Sequence, residues 1–329
     1  MRSVNASVLA APIAIVLLFG SCLLGTDRLA FRDVSHFYTP LYQYVAERQA
    51  ESWIPLWNPL DHTGIPLVGE TTTAVFYPLR WLLFALPLSA ATAMSWYIAL
   101  HLVIASITSF LCARWNGVSV LCSSLASVAY TASGTIVFLY SNPPFLVSAA
   151  WLPLVIGALV SQHAPASRRR IAIASTALAM MVLGGDPQTG LHAMLLAVVI
   201  WSLRFLMARE NPVRLSALLI IPLIATALAL PQIAASIDWS RQSDRIGWSL
   251  DGLLSPPVIG SRKYEAYQFS LAPWHTLELA SPAPFGSLFP VNQRVSRLIP
   301  GDGRMWTPSI YMGILVATTM LLRLKHWRR

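Results

Sequence analysis

The sequence predicts an all-α polytopic membrane protein with about eight transmembrane helices and two large outer loops. Three observations carry that prediction. The 329-residue chain is 55% hydrophobic and only 11% charged, whereas soluble domains carry about a quarter charged residues. Its apolar residues gather into runs suited to a bilayer core, which takes about 20 consecutive apolar residues to cross. Its basic residues are distributed unevenly about those runs.

The runs fall at about 5–25, 90–113, 118–140, 145–161, 171–185, 190–208, 214–237 and 306–322, within one integral membrane domain over 1–329. The first is long and lacks a clear A-x-A site, so it is an uncleaved anchor and not a cleaved signal. Counted from a cytoplasmic N-terminus, the inner segments hold twelve Arg or Lys against the single acid Glu210. The outer segments hold the other eleven basic residues and thirteen acids. This is the positive-inside pattern. It predicts that both termini are cytoplasmic and that the inner basic residues meet anionic membrane lipids. The net charge of +9 is thereby explained without a nucleic acid partner.

One apolar stretch is excluded from the count. FYPLRWLLFALPLS (76–89) is short and contains Pro78, Arg80 and Pro87. Counting it as a span would reverse everything downstream, so an interfacial or re-entrant segment is expected, with Arg80 and Trp81 at headgroup level. The three cysteines, Cys22, Cys112 and Cys122, all fall in apolar runs. They fit small packing residues and no disulfide framework.

The first outer loop, 26–89, is the most informative segment. It carries Asp27, Asp33, Glu47, Glu51, Asp61 and Glu70 among many aromatic residues. Connections of this length tend to be functional or disordered, and the aromatic content argues for order. The second outer loop, 238–305, is rich in Pro and aromatics, which predicts an ordered but mostly irregular segment. The turn GGDPQTG (184–190) follows an apolar run from Ile171 to Gly185. That run covers roughly 22 Å as a helix, against a hydrocarbon core of about 30 Å. With Arg170 at the inner headgroups, Asp186 is expected below the outer surface, where an ionisable group needs water or a partner. Asp186 also fits a helix N-cap ahead of Pro187.

Several signatures stand in order along the chain: D-x3-F-Y-x-P (Asp33, Phe37, Tyr38, Pro40), PLWNP (55–59), G-I-P (64–66), FYP (76–78), GGDPQ (184–188) and Y-x-G (Tyr311, Gly313). In this combination the chain resembles the YfhO-like bacterial membrane proteins, a branch of the class C glycosyltransferase fold. The resemblance implies a multi-pass protein of the bacterial cytoplasmic (inner) membrane that uses a polyprenyl-phosphate sugar donor. Transfer would occur on the outer face to an acceptor in the cell envelope. Asp33 is the position corresponding to the catalytic carboxylate, acting as general base on the acceptor hydroxyl. The phosphate leaving group needs positive partners, for which Arg32 and Arg80 are candidates.

Asp61, His62, Asp186 and Gln188 complete the expected substrate contacts. A single Asp–His pair without further ligands at metal spacing is a weak metal signal, so neither a metal nor another cofactor is expected. Relatives often carry His where this chain has Asp186, and usually continue with more spans and an outer soluble domain. On that comparison the chain is a truncated relative, with room for a separate chain supplying the missing C-terminal spans. Two other readings stay open: a lipid or sugar transporter or flippase, and a non-catalytic truncated scaffold.

Overall fold

The computed structural model describes residues 9–61, 63–161, 167–206, 215–242, 271–289, 291–299, 307 and 309–324. Among these, the secondary structure is helical apart from one two-stranded hairpin, β1 (Trp57–Asn58) paired antiparallel with β2 (Ile65–Pro66). The helices are α1 (Ala10–Leu18), α2 (Gly20–Leu23), α3 (Thr39–Glu51), α4 (Pro78–Phe84), α5 (Ala90–Trp115), α6 (Val120–Thr131), α7 (Gly134–Phe138), α8 (Pro143–Val160), α9 (Arg168–Leu183), α10 (Pro187–Leu206), α11 (Leu215–Leu228), α12 (Leu230–Arg241) and α13 (Ile314–Leu324). Three of them, α5, α8 and α10, are long and apolar enough to cross a membrane. The number is up to five if Val120–Thr131 with Gly134–Ser141, and α11 with α12, each form one broken span. The protein is a membrane-embedded helical protein.

The chain divides into two compact units, Met1–Thr131 with Leu139–Gln242, and Ala132–Phe138 with Ser243–Arg329. In the first unit α5 packs on α6 and α8, α8 on α9, and α9 on α11. Small residues at these contacts, among them Ala105, Ala150, Ala158, Ala174 and Ala177, are buried. They let helix backbones approach closely, and hydroxyls then reach across between helices. Thr108 Oγ1 donates to the Ala150 carbonyl at 2.6 Å and Ser127 Oγ to the Ser106 carbonyl at 2.6 Å. Among the long helices, α10 exposes Leu191, Leu195, Val199 and Leu203, whereas the comparable stretch of α8 is mostly buried.

The structure adds detail to two expectations. The run 214–237 is not one straight span, because the chain bends by 79° between α11 and α12. Pro231 lies at the start of α12, where its ring suits a helix beginning and not a helix interior. Arg80 is buried inside the protein, because α4 turns Arg80 and Leu83 inward while Trp81 and Leu82 stay exposed. The segment 76–89 does form only a short helix, α4, of seven residues.

In the second unit, the described part of 271–299 is irregular with two 3-10 turns, Pro273–Leu279 and Val295–Leu298. His275 Nδ1 and Glu278 Oε1 pair at 2.8 Å, and both side chains are buried. The Gly134 N–H donates to the Tyr311 carbonyl at 2.9 Å, tying α7 to the segment before α13.

Candidate functional site

The helical segment carrying Asp33 has two irregularities at its start. Arg32 adopts a positive φ of 55°, a conformation costing a non-glycine residue of order 1–3 kcal/mol and found often at functional sites. Directly after Asp33, residues Val34–Tyr38 form a turn of π-helix before α3. Such turns also cluster at functional sites. Asp33 stands where an N-cap would stand, yet its side chain makes no capping bond. Its Oδ2 instead accepts from Asn142 Nδ2 at 3.3 Å.

Asn142 shows the same departure from local duty. It precedes Pro143 and Pro144 at the start of α8, but its side chain caps nothing there. It is 4% exposed, and its Oδ1 accepts from the Tyr38 hydroxyl at 3.1 Å. Burial, and then the negative charge of Asp33, Glu70 and Asp186, pushes the Tyr38 phenol well above its usual range. A phenol held neutral is a donor, so Asn142 Oδ1 faces Tyr38 and its amide N–H faces Asp33. The result is a directed chain from Tyr38 through Asn142 to the carboxylate. Asp33 itself is half-buried, and among the described residues its Oδ1 has no hydrogen-bond partner.

The two other carboxylates acting on Tyr38 come from separate loops. Glu70 caps the 3-10 turn Thr71–Thr73, accepting from Thr72 Oγ1 at 3.0 Å. Asp186 is 2% exposed. Its Oδ1 accepts from the Thr189 N–H at 3.0 Å, so it caps α10 as its position ahead of Pro187 predicts. Its Oδ2 is buried and has no partner among the described residues. Buried polar atoms are normally paired, which sets this oxygen apart from the rest of the turn. Asp186 and Asp33 both act on the Tyr38 phenol, Asp33 more strongly.

These loops are locked together by close packing. Gly185 has φ +104°, and a Cβ there would lie 2.8 Å from the Thr71 carbonyl oxygen and 3.2 Å from Pro144 Cβ. From the other side, α12 holds the first loop: Gln232 Nε2 donates to the Val68 carbonyl at 2.8 Å and Ser236 Oγ to the Gly69 carbonyl at 2.9 Å.

The remaining sequence candidates are placed as follows. Arg32 is half-buried beside Asp33, and its carbonyl accepts from Ser35 N–H and Oγ. Arg80 is fully buried. Its Nε donates to the Ala74 carbonyl at 2.9 Å, and its Nη2 donates to Gln49 Oε1 and to the Val75 carbonyl. No carboxylate is among these partners, and burial lowers its pKa from the usual arginine range. Arg80 therefore anchors the 74–80 loop against α3. Asp61 is half-buried in the turn of the hairpin, with its carbonyl accepting from the Gly64 N–H. His62 lies outside the described residues. Gln188 is exposed in the first turn of α10.

Sequence reasoning missed Asn142, and it quoted Glu70 and Tyr38 without giving either a role. It also missed a histidine inside the span α5. His101 is fully buried, with Nδ1 2.6 Å from the Tyr97 carbonyl and Nε2 2.7 Å from the Tyr77 hydroxyl. A carbonyl only accepts, so Nδ1 carries the proton of the neutral ring. Tyr77 O–H then donates to Nε2 while its oxygen accepts from Trp151 Nε1 at 2.9 Å. Edge-on ring contacts run from Tyr38 through Tyr42 and Tyr97 to this group, with centroids 6.1 Å and 5.6 Å apart at the first two steps. Among the described residues no group of three or more His, Cys, Asp or Glu could hold a metal ion.

No family model, no curated protein and no solved structure matches this chain.

Proposed function

We propose that the protein is a membrane glycosyltransferase that moves a sugar from a polyprenyl-phosphate donor to an extracytoplasmic acceptor, a cell-envelope glycan or lipid. The observation that carries this reading is Asp33, a carboxylate released from capping and held by Asn142 with one oxygen unpartnered among the described residues. In this reaction the acceptor oxygen attacks the anomeric carbon from the face opposite the phosphate. The bond from that carbon to the phosphate oxygen breaks, and the polyprenyl phosphate leaves with the electron pair. Asp33 Oδ1 takes the acceptor proton, a general-base role, and the stereochemistry is inverted. Asn142, aligned by Tyr38, fixes the direction of the carboxylate. The unpartnered Asp186 Oδ2 accepts from a sugar hydroxyl. Gln188, Asp61 and His62 extend the contacts to the sugars. Three carboxylates around Tyr38 repel phosphate from that spot, so the leaving group lies toward Arg32, next in sequence to Asp33.

The reading includes a class C glycosyltransferase-like architecture of about eight spans. Both termini are cytoplasmic and 26–89 and 238–305 lie outside, as the positive-inside distribution requires. Cysteine labelling from outside intact cells should modify Ser52→Cys and Ser287→Cys and spare Ser167→Cys; modification of Ser167→Cys sinks this orientation. The function itself is tested by incubating purified protein with polyprenyl-phosphate sugars. Release of polyprenyl phosphate coupled to glycosylation of envelope acceptors is expected.

Two observations favour a second reading, a transporter or flippase. The 79° break between α11 and α12 and the buried His101 in a span are features that transporters use. Sugar-lipid movement across proteoliposomes without any transfer product would select it.

A further inference from the structure

A cavity lies on another face of α3, away from the buried Tyr42 and Val45. It measures about 500 Å3, is partly open to its surroundings and is bordered by α3, α4 and the start of α5. Gln43, Ala46, Glu47 and Ala50 line it at the 3- and 4-residue spacing that puts side chains on one stripe of a helix. Opposite them stand Trp53, Trp81 and Phe84, and the small side chains of Ala85, Ala90 and Ala93 leave the space between open.

We propose that this cavity binds a neutral oligosaccharide. Among the described residues Glu47 is the only charged one in its lining, so phosphate, sulfate and uronate groups meet repulsion there with no described cation to offset it. Gln43 Nε2 donates to Glu47 Oε1 at 2.9 Å, which orients the carboxylate and leaves Oε2 to accept sugar hydroxyls. Trp53 and Trp81 meet edge to face with centroids 5.3 Å apart at 77°. Trp53 is 77% and Trp81 37% exposed, so the rings are open to a ligand. An indole joins a broad apolar face to an N–H donor, the combination that suits the C–H face and hydroxyl rim of a pyranose. The volume lies within the range of about 300–1,000 Å3 usual for small-ligand sites. The competing occupant is a membrane amphiphile, since tryptophans also collect at bilayer surfaces. The Gln43–Glu47 wall disfavours it, because an acyl chain would lie against a carboxylate without satisfying it.

Binding here does not depend on the transfer chemistry. If transfer does occur at Asp33, the cavity holds a distal part of the acceptor glycan. Gln43 lies ten residues along the helical segment from Asp33, roughly 15 Å at 1.5 Å per residue.

The test uses the full chain in phosphatidylcholine nanodiscs, titrated with maltotriose, cellotriose, chitotriose and trigalacturonate and followed by tryptophan fluorescence and calorimetry. Saturable binding of at least one neutral trisaccharide, and none of trigalacturonate, is expected. Trp81→Ala and Glu47→Gln should each weaken it by at least ~10-fold, equivalent to about 1.4 kcal/mol, with thermal stability preserved. Trp201→Phe, on α10, should leave it unchanged. Binding that survives both Trp53→Ala and Trp81→Ala overturns the proposal. So does the absence of saturable binding by every neutral probe, or a response only to changed lipid composition. Asp33→Asn should retain saccharide binding, so loss of transfer and loss of binding report on different sites.

Discussion

Replacing Asp33 with asparagine is expected to lower sugar transfer by at least ~10²-fold, the lower bound usual for a lost general base, without loss of membrane insertion or thermal stability. The structural part of that expectation follows from the contact the side chain makes. Asn142 donates to Asp33 Oδ2, and the amide oxygen introduced by Asp33→Asn can accept the same bond at the same length. The left-handed Arg32 and the π-turn after it are set by the backbone and do not depend on the charge. What the amide cannot do is take a proton near neutral pH. Asn142→Leu should act differently, because it leaves the buried Tyr38 hydroxyl unpaired, at a cost of about 1–3 kcal/mol. That variant should lose stability as well as transfer. Transfer by Asp33→Asn near the wild-type rate would remove Asp33 from the mechanism, whatever Asn142→Leu does.

The membrane-embedded helical fold was legible because it rests on composition and on apolar runs, which local sequence carries in full. The short run before Asp186 was legible for the same reason: α9 ends at Leu183, and the glycine turn follows at once. The break at α12 had a signal in Pro231, but the apolar residues on both sides concealed it. The burial of Arg80 was not legible, because a lone arginine beside a tryptophan resembles a headgroup contact. Its burial depends on acceptors supplied by Gln49 and by the carbonyls of Ala74 and Val75. Ala74 has a positive φ of 50°, which no residue pattern announced. Asn142 was illegible for a deeper reason. In sequence it is an ordinary Asn-Pro helix start, and only the fold brings it to Asp33, 109 residues away.

Gly185→Ala is expected to destabilise the protein by about 2–6 kcal/mol, from backbone strain of order 1–3 kcal/mol together with overpacking of similar size. The two contributions have separate sources. At φ +104° an alanine is strained wherever it sits. In addition its Cβ would lie 2.8 Å from the Thr71 carbonyl oxygen, a backbone atom that cannot rotate away. Thr71 follows Glu70, and Pro144 on the other side follows Asn142 and Pro143. Relief of the clash therefore has to move the 184–186 turn, the 70–73 turn or the start of α8. Each of these carries a group acting on Tyr38, so transfer should fall along with melting temperature. Gly313→Ala separates strain from clash, because Gly313 has φ +100° but, among the described residues, nothing within 4 Å of the methyl that alanine would add. It should show the strain cost alone. If Gly185→Ala costs no more than Gly313→Ala, the three loops are not packed as tightly as the 2.8 Å contact implies. If Gly185→Ala melts early yet transfers sugar at the wild-type rate below its transition, Asp186 and Glu70 take no part in positioning the substrate.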